Sequence, residues 1–272
     1  MSFGSAFARV IRRTMGIALT APAACGVLGA QAARRGMARL PAGSYVPLYS
    51  NQPGGLQSVA TFNLDQATVT RRDYLAFVRA HAEWRRAQIR PVYTDAGYLI
   101  DWRGPLDPGD SGLVALPVTS VSWFAARAYC AANGKRLPTV DEWEYAASAS
   151  EVERDATRDA VFIRRLLDLY GSRTTGGAAR AKHGFRNIYG ISGMHESVWE
   201  WTEDFNTVLV STDSREAGGT TRHTDFQSVC ASAAIGASDP NNYPAFMRYA
   251  FRAALTGRST AKSLGFRCAA DA

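Results

Sequence analysis

Residues 187–204 read Asn187-Ile-Tyr-Gly190-Ile-Ser-Gly193-Met-His195-Glu-Ser-Val-Trp199-Glu200-Trp201-Thr-Glu203-Asp204, and no other stretch constrains the chain as much. Each indole N–H and the Glu200 charge needs a partner once buried, so the three cannot all be ordinary core. In a strand, where side chains alternate, Trp199 and Trp201 share one face and Glu200 takes the other. Structure is therefore expected on both faces of the segment. The plainer alternative is two core tryptophans with a surface glutamate.

The flanking chain supplies the elements. Residues 38–49 read as an opening strand interrupted by prolines, suited to a sheet edge, and 57–69 as a second, loosely alternating strand after the turn Asn51-Gln-Pro-Gly-Gly55. Thr70 can cap a helix over 71–84 whose Tyr74, Phe77, Val78 and His81 fall at helical spacing, which makes the lone His81 a face residue rather than a ligand. Residues 88–114, with many Gly, Pro and Asp and isolated aromatics, read as a long ordered loop. Ser122 is an N-cap for a helix over 123–133, and Gly134 suits a left-handed C-cap. Lys135-Arg-Leu-Pro138 breaks that helix, and Thr139-Val-Asp-Glu142 is a capping box opening another through Trp143, Tyr145, Ala146 and Ala147. A third helix is expected around 152–169, a flexible loop over 171–177, and a proline-started helix over 244–255.

Residues 1–33 follow the plan of a secretory leader: a basic start, an apolar run from Met15 to Gly29, and Ala30-Gln-Ala32 before Ala33. The run is short and rich in small residues for a membrane span, with an uncleaved anchor as the main alternative. Arg12-Arg13 hints at the twin-arginine route although the residues after it fit that signal poorly, so the twin-arginine and general secretory routes both stay open. Cys25 suggests a lipoprotein, but Pro22 stands where an aliphatic residue is expected. The mature domain is then 34–272, exported to the periplasm, with no membrane span after leader cleavage. Of the formal charge of +7, Arg9, Arg12 and Arg13 leave with the leader; the remaining 28 basic and 24 acidic residues give +4, too mild to argue for nucleic acid. Three cysteines then remain, Cys130, Cys230 and Cys268, enough for one disulfide and one thiol left over.

Three blocks carry a family resemblance: Pro117 through Trp123, Cys130 and Trp143 to Ala147; Tyr189-Gly190 through Val198-Trp-Glu-Trp-Thr202; and Leu264-Gly-Phe-Arg-Cys-Ala269. In this order they resemble the formylglycine-generating enzyme family, also called the sulfatase-modifying-factor domain, over nearly the whole mature chain. The resemblance implies a single α+β domain with little regular secondary structure, a variant of the C-type-lectin-like fold. It implies that Cys130 and Cys268 form a structural disulfide. Such a bridge closes a loop of about 139 residues, for which the chain-entropy model gives roughly 4 to 5 kcal/mol.

The family oxidises a cysteine of an unfolded sulfatase segment to formylglycine, using oxygen and copper held by two cysteines a few residues apart, a donor pair that suits soft Cu(I). Cys230 matches the first of these, and Ile235 stands where the second belongs, so this is an atypical member without the second active-site cysteine. Cys230 is left as a buried hydrophobe or the remaining reactive thiol. The resemblance further implies that Trp199 lines the cleft near Cys230 while Trp201 packs in the core. Relatives hold calcium around the Val-Trp-Glu-Trp block; here Glu200 is kept and Glu196 could supply a carboxylate, but the first ligand position is Gly193.

His183, His195 and His223 show no metal-ligand spacing and read as solvated loop residues, and a soft-metal site of Cys230, Met247 and His223 has no pattern to fix it. No phosphate-cradling loop, nucleophile elbow or zinc signature occurs, and the three-histidine iron motif of the sulfoxide-synthase branch is absent. The C-terminal block also looks similar to a nitrite-reductase-associated subgroup. Three functions follow as expectations: an exported accessory or maturation factor that binds a protein or peptide partner, a metal-dependent oxidase of a protein or peptide cysteine, or a lectin-like ligand-binding module.

Overall fold

The computed structural model describes residues 36–48, 55–173, 185–196, 198–206 and 242–272. Its strands are two to four residues long and pair across the whole chain. β1 (Met37–Leu40) lies antiparallel to β4 (Phe62–Asp65), which lies antiparallel to β7 (Ala269–Asp271), so the two ends of the domain meet in one three-stranded sheet. β2 (Gly43–Tyr45) and β3 (Gln57–Val59) form a separate antiparallel pair. The two long strands expected at 38–49 and 57–69 are thus each divided. The physical reason is a corner: Pro41 has no N–H for a ladder, and the Ala42 amide turns to the Thr61 hydroxyl at 3.0 Å.

The capping residues act as expected. Thr70 and Asp73 exchange side-chain and backbone bonds at the start of α1 (Arg71–Ala80). The helix stops at His81, short of the expected end, and Ala82–Trp84 continues as one 3₁₀ turn. Ser122 accepts from the Ala125 amide at the start of α2 (Trp123–Ala132). Gly134 follows with φ of +66°, the left-handed conformation that glycine adopts at no steric cost. Thr139 and Glu142 close a reciprocal box on α3 (Val140–Ala147), a helix buried along almost its whole length. The basic elbow between α2 and α3 is pinned by Lys135 on Asp65 at 2.6 Å and by Arg136 on both oxygens of Glu142.

α4 (Ala160–Arg173) begins well after the expected residue 152. Ser150, Asp155 and Asp159 accept from the amides of Glu153, Thr157 and Val161, and these local side-chain bonds hold the intervening chain in turns. α5 (Tyr243–Ala253) is started by Pro244 and capped by Asn242. The largest core packs Tyr74, Val118, Val121, Trp201 and Phe266 around the buried Cys130–Cys268 disulfide, whose Cα atoms are 5.6 Å apart. A second core joins Leu40, Phe62 and Leu64 of the sheet to Trp143, Ile191 and Met194. The fold is α+β with little regular structure. Among the described residues, no helix is long and apolar enough to cross a membrane.

Candidate functional site

The Trp-Glu-Trp segment is held by the C-terminal block. β5 (Trp199–Glu200) runs parallel to β6 (Leu264–Gly265), with the Trp199 amide donating to Ser263 O at 2.7 Å and the Trp201 amide to Gly265 O at 3.0 Å. This pairing brings Arg267 to Glu200. Arg267 Nε donates to Oε2 at 2.7 Å and Nη2 to Oε1 at 2.8 Å, with both side chains wholly buried. The fork geometry of guanidinium and carboxylate makes this the strong form of an ion pair. Arg267 also donates to Asp65 O and Ser192 O, so one side chain ties together the first strand pair, the approach to β5 and β5 itself.

Structure does stand on both faces of the segment. Trp201 is fully buried and its Nε1 donates to Val121 O at 2.9 Å. Glu200 is not a surface residue as the plainer reading had it; its Oε2 also accepts from Trp143 Nε1 at 2.8 Å. Trp199 is half-buried, with its ring stacked on Phe251 of α5 at 4.8 Å between centroids.

A second buried ion cluster lies on the far side of the Trp143 indole. Glu144 accepts from Arg248 Nε at 3.0 Å, from Arg248 Nη2 at 2.6 Å and from Arg252 Nη1 at 2.6 Å, and none of the three side chains is more than 7% exposed. Burial by itself would push the Glu144 carboxyl up, but the two guanidiniums win and hold it down at about 2. Both guanidiniums also lie over the Trp143 ring, at 5.6 and 5.0 Å.

Arg248 Nη1 donates to the Tyr170 hydroxyl at 3.1 Å, and that hydroxyl is 2.9 Å from His195 Nδ1. The other ring nitrogen, Nε2, lies 2.9 Å from Ala147 O. At 1% exposure, His195 is no solvated loop residue. The reason is local: the turn after Gly193 sends its ring inward among Trp143, Phe162 and Phe185.

Between the two clusters is a cavity of about 10 Å³, lined by Trp143, Tyr170, Trp199, Arg248, Phe251 and Arg252 among others. Trp199 thus borders a cleft while Trp201 is core. Cys230 and Ile235, on which the copper expectation turns, lie outside the described residues, as do the leader, His183 and His223. Met247 is half-buried on α5. In the lining, the one sulfur among the described residues is the thioether of Met194, and the charge brought in by α5 is positive. Among the described residues the lining offers no thiolate of the kind that Cu(I) prefers.

Calcium fits no better among these residues. Both Glu200 oxygens accept from Arg267. Glu196 accepts from the Phe185 amide with Oε1 and leaves Oε2 buried without a hydrogen bond, one oxygen where calcium needs six or more. Gly193 has φ of +72° and offers no side chain. Among the described residues no group of three or more His, Cys, Asp and Glu side chains could hold a metal.

Arg248 and Arg252 were not singled out from the sequence, although their spacing of four places them on one face of the proline-started helix. Nothing local marks their partner Glu144, 104 residues away from Arg248.

A family model described as the sulfatase-modifying factor enzyme 1-like domain matches residues 27–272. The chain is 34% identical over 185 residues to a Bos taurus protein named inactive C-alpha-formylglycine-generating enzyme 2, covering 63% of this chain and 56% of that one. It therefore spans little more than half the length of that relative. It is 26% identical over 307 residues to the formylglycine-generating enzyme of Streptomyces coelicolor, covering 95% and 97%. Among solved structures it is similar to PvdO from Pseudomonas aeruginosa, at 18% identity and a TM-score of 0.46 over 87% of this chain and 94% of that one.

Proposed function

This chain belongs to the sulfatase-modifying factor family, and from that premise we propose that it is an exported accessory or maturation factor that binds a protein partner, rather than a two-cysteine copper oxidase. One observation carries the reading: beside Trp199, where the family's metal chemistry is expected, α5 supplies two guanidiniums and no thiolate. Positive charge at that place repels a copper ion, whereas thiolates would attract it. The sequence agrees, since Ile235 cannot ligate and Cys130 and Cys268 are joined to each other. The similarity to a relative named inactive supports the same direction, balanced by a comparable similarity to relatives named formylglycine-generating enzyme.

The test is mass spectrometry of a sulfatase-type cysteine peptide incubated with copper-loaded protein and oxygen. The expected outcome is no aldehyde above the protein-free control, together with retention of a discrete exported protein by the immobilised chain. Formation of the aldehyde, lost in Cys230→Ala, overturns the reading in favour of a metal-dependent oxidase acting through a single thiolate.

A further inference from the structure

A surface helix ordinarily buries its apolar side and turns its charges to water. α5 is reversed. Its two charged residues, Arg248 and Arg252, are 6% and 4% exposed and are bound to Glu144 beneath the helix. With about 3.6 residues per turn, the opposite side carries Tyr243, Met247, Ala250 and Ala254, flanked by Phe246 and Phe251. None of these six is charged. Tyr243 is 53% exposed, Ala254 is exposed, and Met247 and Ala250 are half-buried. Tyr243 stacks on Phe246 at 5.9 Å and Phe251 on Trp199 at 4.8 Å between centroids, so apolar surface runs from the start of the helix to the cleft.

A face without charge favours a guest without charge. A membrane surface is a poor match, because helices that lie on lipid set lysines and arginines beside their apolar side, and α5 keeps both of its own against Glu144. The order of side-chain sizes points instead to the same face of a second chain. Two copies of α5 laid antiparallel about a two-fold axis set Tyr243 opposite Ala254 and Met247 opposite Ala250, so that each bulky side chain meets a small one. Symmetry makes every such contact twice.

We propose that the outward face of α5 is a self-association surface, on which two copies of this chain pair helix to helix in antiparallel fashion. The 11 residues of α5 span about 16 Å, which covers only part of the roughly 800 Å² per partner in a standard interface, so the dimer is weak, with a Kd in the micromolar range or above. The pairing brings the second copy beside the Trp199–Phe251 stack. It does not rest on the accessory-factor reading, since it requires neither a further partner nor an activity.

The experiment is sedimentation velocity of the full chain from low to high micromolar concentration. The natural chain is expected to shift with concentration towards a species of twice the mass. Met247→Lys and Ala250→Glu, each folded as judged by a melting midpoint equal to that of the dilute natural chain, should each sediment as a monomer throughout, because the two-fold contact would bury a charge against apolar groups twice. An equal mixture of the two variants should recover the dimer, since the new ammonium of one chain meets the new carboxylate of the other. If either variant fails to fold, Tyr243→Lys and Ala254→Glu, at the ends of the helix, take their place in the same mixing test. A natural chain that stays monomeric over the whole range, whether or not it sediments with anionic phospholipid vesicles, overturns the proposal. So do single variants that still dimerise, or folded variants whose mixture does not.

Discussion

Two arginine–glutamate arrangements show how much depends on single side chains at full burial. Removing one member of a buried pair leaves an uncompensated charge, which costs about 3 to 5 kcal/mol, whereas replacing both by apolar groups of similar volume is far milder. Glu200→Ala is therefore expected to lower the urea midpoint sharply by stranding Arg267, and Glu200→Leu with Arg267→Met to recover much of the loss. A single-mutant effect below about 1 kcal/mol would show that water reaches the site. Glu144 gives the acid limb of the stability curve. Its folded pKa of about 2 lies below the ordinary 4.5, so its contribution is complete above 4.5 and is lost as the pH falls towards 2. The loss is on the order of 3 kcal/mol for a wholly buried carboxylate. Urea midpoints measured from pH 5 to pH 2 should fall in the natural chain and fall less in Glu144→Gln.

Among the elements, the parallel pair β5–β6 has the smallest tolerance. A Cβ at Gly265 would lie 2.6 Å from the Val118 carbonyl oxygen and 3.0 Å from a Val198 methyl. The first of these is backbone of the core and cannot swing away, so glycine is required here by close approach rather than by its dihedral freedom. Gly265→Ala is expected to cost a few kcal/mol and to expose Trp199 to a soluble quencher as β5 is pushed off. An unchanged denaturation midpoint would mean that the Val118 backbone shifts freely. The helices α1, α2, α3 and α5 are of another kind, since Thr70, Ser122, Thr139 and Asn242 each accept from an amide of the first turn.

Across the whole molecule, short elements distant in sequence are held by a few long-range ties. β4 reaches β7, Lys135 reaches Asp65, and Cys130 reaches Cys268 over a separation of 138 residues. With so little regular structure, the chain-entropy contribution of the disulfide, roughly 4 to 5 kcal/mol, is a large part of a normal stability margin. Replacing both cysteines by alanine should lower the melting midpoint by many degrees. Alkylation of the denatured mature chain should add one group before reduction, on Cys230, and three after it. Two or more groups before reduction would refute the bridge.

What the sequence determined by itself was whatever is carried by neighbours in the chain. The caps, the C-terminal Gly134 and the proline start of α5 were legible because each works through its own first or last turn. The three spaced blocks were legible as a family pattern, and through it the fold class and the disulfide pairing. The tertiary structure decided the rest. Glu200 became the partner of a guanidinium rather than a surface charge or a metal ligand because β6 places Arg267 beside it, 67 residues away. His195 became core because the rings of Trp143, Phe162 and Phe185 close around it, and the cleft beside Trp199 became cationic because α5 folds back on Glu144 across more than 100 residues. Burial is a property of such distant encounters. It fixes which ionisable groups keep their charge, and no spacing along the chain encodes it.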